Sequence, residues 1–291
     1  MKIILHAGAH FTEEDRLMKC LLRNKPDFAR RGVSVPGPGR YRQLLRDSLS
    51  ALRDSPASQE SPDILLDAIL DDEKARRLVL SNANLFAAPR GALRGGMIYA
   101  SAPERLRQVA ALFSGIEIRL FMALRNPASF VPACFSQSRL DDVAAFLDCA
   151  DPRSLRWSDT LIAIREALPD LPMTIWCSED APLLWGQIIR EMAGLGEHDE
   201  ITGGFDLLAS IMTPQGMARF KSYLEEHDDL PEASRRRVMR AFLDRFAIEE
   251  ALEEEIDMPH WTQDLVAEMT DTYDRDMLRI ESIPNLRLLL P

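Results

Sequence analysis

The chain has 291 residues, of which 46% are hydrophobic and 28% are charged, proportions that are ordinary for a globular protein with a large core. Its 46 acidic side chains outnumber its 35 basic ones and give a net charge of −11 at neutral pH. This balance argues against a general nucleic-acid-binding protein, because such proteins bind the phosphate backbone through a basic surface.

Two further patterns concern the cellular compartment and metals. The first residues enter a short apolar run directly, and no stretch approaches the roughly eighteen apolar residues of a membrane span. We expect a cytoplasmic protein that does not contact a membrane. The four cysteines, Cys20, Cys134, Cys149 and Cys177, form no C-x-x-C pair, so we expect reduced thiols and no metal site.

The N-terminal segment MKIILHAGAHFTEED combines a strand, a tight loop and the start of a helix. Residues 3–5 form the apolar strand and residues 6–10 the loop, and Thr12 with Asp15 fits the capping-box pattern of a helix start. The helix is expected to end before Gly32, with a kink or a second segment at Pro26. Such a helix start is a common phosphate site, because its amide groups are unpaired and carry partial positive charge.

The chain then alternates between helices and strands. Residues 33–39 are rich in proline and glycine and predict a loop. Strands are predicted at Arg77–Ser81, 116–124, Met173–Cys177 and 286–290, and helices at 40–52, 62–74, 103–113, 129–147 and 157–168. This alternation predicts an α/β fold of three layers, in which a parallel sheet is flanked by helices on both faces.

The C-terminal part of the chain has a different pattern. Residues 204–280 are predicted to be almost wholly helical, with turns near Pro214, Pro231 and Pro259. We interpret residues 1–291 as a single α/β domain, with 204–280 as a largely helical addition packed on it. The sequence leaves the oligomeric state open.

In a parallel sheet, ligands bind beyond the carboxyl ends of the strands. Four separated segments follow the predicted strands and are expected to converge on one crevice; they are residues 7–10, 81–84, 125–127 and 177–180. The polar side chains that this places together include His10, Asn82, Asn84 and Arg125.

The first of these segments resembles a motif of a known protein family. Residues 6–17, HAGAHFTEEDRL, resemble the H-x-G-x-x-K-T-G-T-T phosphate loop of sulfotransferases, which transfer sulfuryl groups from PAPS (3′-phosphoadenosine 5′-phosphosulfate). RRGVSVPGPGRYRQLL from Arg30, VLSNANLF from Val79 and WCSEDAPLLW from Trp176 are similar to segments of bacterial members. LRNPASFVPACFSQSR from Leu124 resembles the R-x-P segment that binds the 3′-phosphate. The resemblance covers most of the chain and implies the P-loop fold of that family.

The resemblance also implies a site. PAPS, or adenosine 3′,5′-bisphosphate, would be bound by Gly8, Ala9, His10, Phe11, Thr12 and Arg125. The serine that accompanies this arginine in the family falls at Ala133, so Ser129 or Ser136 would replace it after a shift of the alignment. The candidate catalytic residues are His10, Asn82 and Asn84. The implied reaction is transfer of the sulfuryl group to a hydroxyl of a carbohydrate or small-molecule acceptor.

Several positions depart from the family pattern. Phe11 stands at the phosphate-loop lysine, residues 13–15 are Glu-Glu-Asp where the family has Gly-Thr-Thr, and Ala83 stands at the general base of heparan-type members. A missing charged hydrogen bond costs roughly 1.5–3 kcal/mol. Repulsion between two unit charges at about 4 Å costs about 4 kcal/mol at an effective dielectric constant near 20. These departures weigh against PAPS binding and transfer.

Two hypotheses follow from the sequence. In the first, the protein is a PAPS-dependent sulfotransferase in which Arg125, with Arg40 or Arg42, compensates for the altered loop. In the second, it is a non-catalytic binding or interaction protein of the same fold, whose acidic loop suits a cationic ligand, a metal or a partner. Neither Asn82 nor Asn84 can remove a proton near neutral pH, which favours the second hypothesis.

Overall fold

The computed structural model describes residues 1–71, 73–254, 256 and 258–291. Its strands, in chain order, are β1 (Lys2–His6), β2 (Val33–Ser34), β3 (Arg77–Ser81), β4 (Leu93–Arg94), β5 (Met97–Ile98), β6 (Glu117–Leu124), β7 (Met173–Cys177) and β8 (Leu286–Leu289). Six of them form one sheet in the order β2-β3-β1-β6-β7-β8, and every neighbouring pair is parallel. The predicted α/β class and parallel sheet are therefore confirmed.

The helices occupy the connections between the strands and most of the C-terminal part. They are α1 (Glu14–Arg23), α2 (Lys25–Arg30), α3 (Pro38–Ala51), α4 (Ser61–Leu70), α5 (Ala102–Leu112), α6 (Pro127–Ser136), α7 (Val143–Phe146), α8 (Trp157–Ala167), α9 (Ala181–Ala193), α10 (Asp206–Ile211), α11 (Pro214–Glu226), α12 (Glu232–Phe246), α13 (Glu249–Leu252) and α14 (Gln263–Glu281). None of the described helices is both long enough and apolar enough to cross a membrane.

The sheet has an apolar core on each face. In β1, Ile3 and Leu5 point into a core shared with α3, α4, α5, α8 and α14. Ile4 points to the other face, into a core shared with α1, α2 and α9. Because both faces are covered, the strands are continuous apolar runs, which explains why the sequence showed them clearly. The three predicted layers are present.

The helical C-terminal part attaches in two ways. Helices α10, α11 and α12 share a separate small core that includes Leu208, Met212 and Phe220. Helix α14 joins the main core through Tyr273 and Ile280. The assignment of residues 1–291 to a single domain stays a prediction.

Three local predictions were wrong. The predicted loop 33–39 contains β2, because Val33 and Ser34 pair with the edge of β3. The single helix predicted over 129–147 is two helices, since the chain takes a left-handed conformation at Arg139 and α7 is capped by Asp142, which accepts a hydrogen bond from the amide of Ala144. The predicted Thr12 cap is absent, as described below.

Candidate functional site

The carboxyl ends of β3, β1 and β6 lie side by side, with β1 in the middle. The backbone ladder between β1 and β6 continues past the end of β1: the amides of Ala7 and Ala9 donate to the carbonyls of Phe121 and Ala123 at 3.1 and 2.8 Å. The amide of Ala123 in turn donates to the carbonyl of Gly8 at 2.8 Å. The loop after β1 is thus held against β6, and the amide of Ala9 is not available to a phosphate.

Gly8 is required at its position by backbone geometry. Its φ is +99°, which side-chain-bearing residues rarely adopt, and an added Cβ would lie 3.3 Å from the amide nitrogen of His10 and 3.6 Å from the Cα of Ala83. The glycine therefore brings the loop close to the segment after β3. The predicted residues Gly8 and Ala9 lie at the expected edge of the sheet.

His10 joins the loop to two other segments. Its Nδ1 lies 2.5 Å from the Tyr99 hydroxyl, its Nε2 lies 3.1 Å from Oδ1 of Asn84, and its backbone amide donates to the same hydroxyl at 3.0 Å. An amide oxygen only accepts, so Nε2 donates to Asn84, and in the neutral ring Nδ1 then accepts from the Tyr99 hydroxyl. Both ring nitrogens are engaged in positioning the loop, which disfavours a catalytic-base role for His10.

Tyr99 was not identified from the sequence. It follows a hairpin in which β4 and β5 are joined by Gly95-Gly96, both with positive φ. A Gly-Gly pair between two short apolar runs is a recognised hairpin signal, so the hairpin was open to prediction. The Tyr99 side chain is fully buried and packs against the rings of Phe86, Phe130 and Trp157.

His6 is the last residue of β1 and is buried. Its Nδ1 lies 2.9 Å from the Ser81 hydroxyl, and its ring stacks on Trp176 with centroids 5.9 Å apart. Burial, together with the nearby Arg42 guanidinium, lowers the pKa of His6 from 6.5 to about 3. His6 is therefore a neutral core residue in the folded chain at ordinary pH.

Arg125, at the end of β6, is held by three partners within the protein. Its Nε donates to the Ser129 hydroxyl at 2.9 Å, its Nη1 donates to the Phe11 carbonyl at 2.7 Å, and its Nη2 is ion-paired with Glu254. Burial lowers the pKa of Arg125, while the carboxylates of Glu179 and Glu13 oppose this shift. The predicted Arg125 and Ser129 are brought together, and each nitrogen of the guanidinium has a protein partner.

Two other predicted residues, Ser136 and Thr12, make none of the contacts to Arg125. Ser136 is exposed at the far end of α6, roughly 10 Å along the helix from Ser129, and donates to the carbonyl of Ala133. The Thr12 hydroxyl donates to the carbonyl of Ala9 at 2.8 Å, and α1 starts after Glu13 without a side-chain cap. The capping box predicted from Thr12 is wrong because this hydroxyl turns back to the loop.

The start of α1 is acidic. Burial raises the pKa of Glu13, an effect that Arg16 at 3.7 Å and Arg125 oppose. Phe11, at the position of the family lysine, has a left-handed backbone and an exposed ring, and Asp15 is exposed. At this loop a phosphate would meet carboxylates and a phenyl ring, although it would need a cation there.

PAPS therefore does not fit the residues present. The amides of Ala9 and His10 already have protein acceptors, and the three nitrogens of the Arg125 guanidinium already have protein partners. A phosphate would have to displace these contacts and approach Glu13 at the same time, which disfavours its binding.

Beside this loop lies a groove that we name the arginine groove. It is bounded by the end of β3, by α3 and by α5, has a volume of about 540 Å³, and is lined by Arg42, Arg46, Leu49, Ser50, Asn82, Asn84, Leu85, Phe86, Ala87, Ala88 and Arg105. Both predicted asparagines line it. The amide of Asn84 donates to Oδ1 of Asn82 at 3.1 Å, so the two residues form one turn after the strand.

The described part of the chain contains no cluster of three or more His, Cys, Asp or Glu side chains that could hold a metal ion.

The chain matches no family model and no curated protein. Among solved structures, it is similar to the sulfotransferase domain from the Synechococcus PCC 7002 olefin synthase, with 12% identity, 93% of each chain covered and a TM-score of 0.38. A likeness at that TM-score carries no argument about fold or activity.

Proposed function

We propose that the protein is a sulfotransferase-like binding protein that does not transfer sulfuryl groups and that uses the crevice at the carboxyl edge of the sheet to bind a ligand. The sequence resemblance in the loop after β1, in the segment after Val79 and in the segment from Leu124 supports the family. The central position of β1 in a parallel sheet is consistent with a ligand crevice at this edge.

One observation supports the loss of sulfuryl transfer most directly: every nitrogen of the Arg125 guanidinium already has a partner within the protein. Glu254 supplies a carboxylate to the guanidinium, and the Phe11 carbonyl takes a second nitrogen. A carboxylate on an arginine occupies the same oxygen positions as a phosphate, so the two compete. Asn84 is an amide and both ring nitrogens of His10 are engaged, so neither of these two candidates is available to take a proton from a hydroxyl substrate.

A second candidate is supported by a separate observation. The Ser129 hydroxyl lies beside Arg125 and takes the place of the 3′-phosphate serine of the R-x-P segment, which by resemblance falls at Ala133. On this basis the protein would be a PAPS-dependent sulfotransferase acting on a hydroxyl of a carbohydrate or small metabolite, with Glu254 displaced on binding.

Titration with adenosine 3′,5′-bisphosphate separates the two candidates. Calorimetry and thermal shift of the full chain are expected to show no saturable binding at millimolar nucleotide, because the Arg125 guanidinium is already occupied by protein partners. Thermal shift reports on binding because a ligand bound only by the folded state raises the melting temperature. Micromolar binding that is abolished by Arg125→Ala would overturn the proposal. The matched control is Arg275→Ala, an exposed arginine of α14 whose Nε donates to a carbonyl within its own helix.

A further inference from the structure

The arginine groove differs in charge from the rest of this acidic chain. It contains three guanidinium groups, and none of its lining residues is Asp or Glu. Arginines just outside it are paired, as Arg40 is with Asp71 at 2.8 Å and Arg107 with Glu104 at 3.7 Å. Within the described ranges no carboxylate pairs with Arg46 or Arg105. The groove therefore carries, at Arg46 and Arg105, positive charge that no carboxylate of the described residues pairs with.

The arginines are placed on one surface by secondary structure. Arg42 and Arg46 are four residues apart on α3 and so lie on the same helix face, an arrangement of like charges that by itself disfavours a helix. The Nε of Arg42 donates to the Ser81 carbonyl at 2.9 Å, which fixes it at the end of β3. Arg105 comes from α5, where its Nη1 donates to Gln108 at 3.2 Å.

The remaining lining residues suit the uncharged part of a small ligand. The Asn84 amide oxygen accepts from His10, which turns the NH₂ group of Asn84 away from that ring. Leu49, Leu85 and Phe86 are buried beneath the groove and give it an apolar floor. A volume of about 540 Å³ lies within the range of sites for small metabolites.

We propose that the arginine groove binds a small metabolite that carries a phosphate or sulfate ester, with the guanidinium groups of Arg46 and Arg105 holding the ester oxygens. The guanidinium fork matches paired oxygens of such esters, whereas a neutral ligand would leave the charges of Arg46 and Arg105 uncompensated. The inference rests on the proposed function, because it names the ligand class of that binding protein.

Inorganic pyrophosphate is the first probe, titrated into the full chain by calorimetry at low salt. The wild type is expected to bind it saturably, and the double variant Arg46→Gln/Arg105→Gln is expected to bind it at least about tenfold more weakly, because each guanidinium supplies a charged hydrogen bond. Absence of saturable binding to the wild type at millimolar probe, or equal affinity of the double variant, would overturn the inference.

Arg107→Gln is the matched control, since it removes a charge from the same helix α5 outside the groove and should leave the affinity unchanged. If the double variant does not fold, the single variants Arg46→Gln and Arg105→Gln replace it in the titration, and each is expected to bind pyrophosphate more weakly than the wild type. Glucose 6-phosphate and glucose 6-sulfate then identify which ester is preferred, and glucose should not bind; glucose binding as tight as either ester would refute the need for an anion. Failure here is distinct from failure of the proposed function, whose test depends on Arg125.

Discussion

The buried His6 makes a specific prediction about acid stability. The folded chain holds its pKa at about 3, against an ordinary value of 6.5. Between these two values the unfolded chain binds a proton that the folded chain does not, so His6 lowers the free energy of unfolding as pH falls below 6.5. Above that pH it has no such effect, because the ring is neutral in both states.

The size of the effect follows from about 1.36 kcal/mol for each unit of difference in pKa. A pH of 5 lies about one and a half units below the pKa of His6 in the unfolded chain. Protonation of His6 in the unfolded chain therefore lowers the free energy of unfolding by about 2 kcal/mol relative to pH 7. Urea denaturation at the two pH values is expected to show that the wild type loses about 2 kcal/mol more than His6→Gln does. Other titrating groups are common to both proteins and cancel in this comparison.

The control for this experiment is His198→Gln, which removes an exposed histidine and should leave the pH dependence close to that of the wild type. If His6→Gln is too unstable to measure, the Cε1 proton of His6 followed by NMR tests the same point, and its resonance should not shift between pH 7 and pH 5. Equal pH dependence of wild type and His6→Gln, or a His6 resonance that titrates near 6.5, would refute the reasoning.

Three further predictions concern the loop after β1 and the residues that contact it. Phe11→Lys combined with Gly-Thr-Thr at residues 13–15 is expected to create saturable binding of adenosine 3′,5′-bisphosphate by calorimetry, because it adds a cation and removes three carboxylates. Adding Glu254→Gln should tighten that binding about threefold, since a half-exposed ion pair is worth about 0.2–1 kcal/mol. Tyr99→Phe should lower the free energy of unfolding in urea by about 1–3 kcal/mol, because it removes the buried hydroxyl that contacts both the amide and the ring of His10.

A different experimental result would contradict each of these predictions. No nucleotide binding by the loop variant would mean that the alignment with the sulfotransferase phosphate loop is wrong, and unchanged affinity on adding Glu254→Gln would mean that this carboxylate does not compete. For Tyr99→Phe the control is Tyr223→Phe, whose ring stacks on His227 and is only partly buried. A loss as large in the control would show that the measured effect does not come from the His10 contact.

The sequence alone determined β1, β3, β6, β7 and β8 and their approximate limits, but it missed the short strands β2, β4 and β5. The runs Arg77–Ser81 and Met173–Cys177 were predicted with the same ends that the structure has, because strands buried on both faces must be apolar throughout. It also placed Gly8, Asn84 and Arg125 at one edge, since the carboxyl ends of parallel strands share an edge. Local signals failed where a side chain had two possible partners, as for the Thr12 hydroxyl, which contacts a loop carbonyl in place of a helix amide.

Only the tertiary structure decided which side chains hold one another. One partner of Arg125 is Glu254, 129 residues later in the chain, and His10 contacts Asn84 and Tyr99, which are 74 and 89 residues away. Hydrogen bonds and ion pairs across such separations depend on strand order and helix packing, which residue patterns do not encode. The same holds for the arginine groove, because Arg42 and Arg46 lie four residues apart on α3, whereas Arg105 joins them only through the packing of α5.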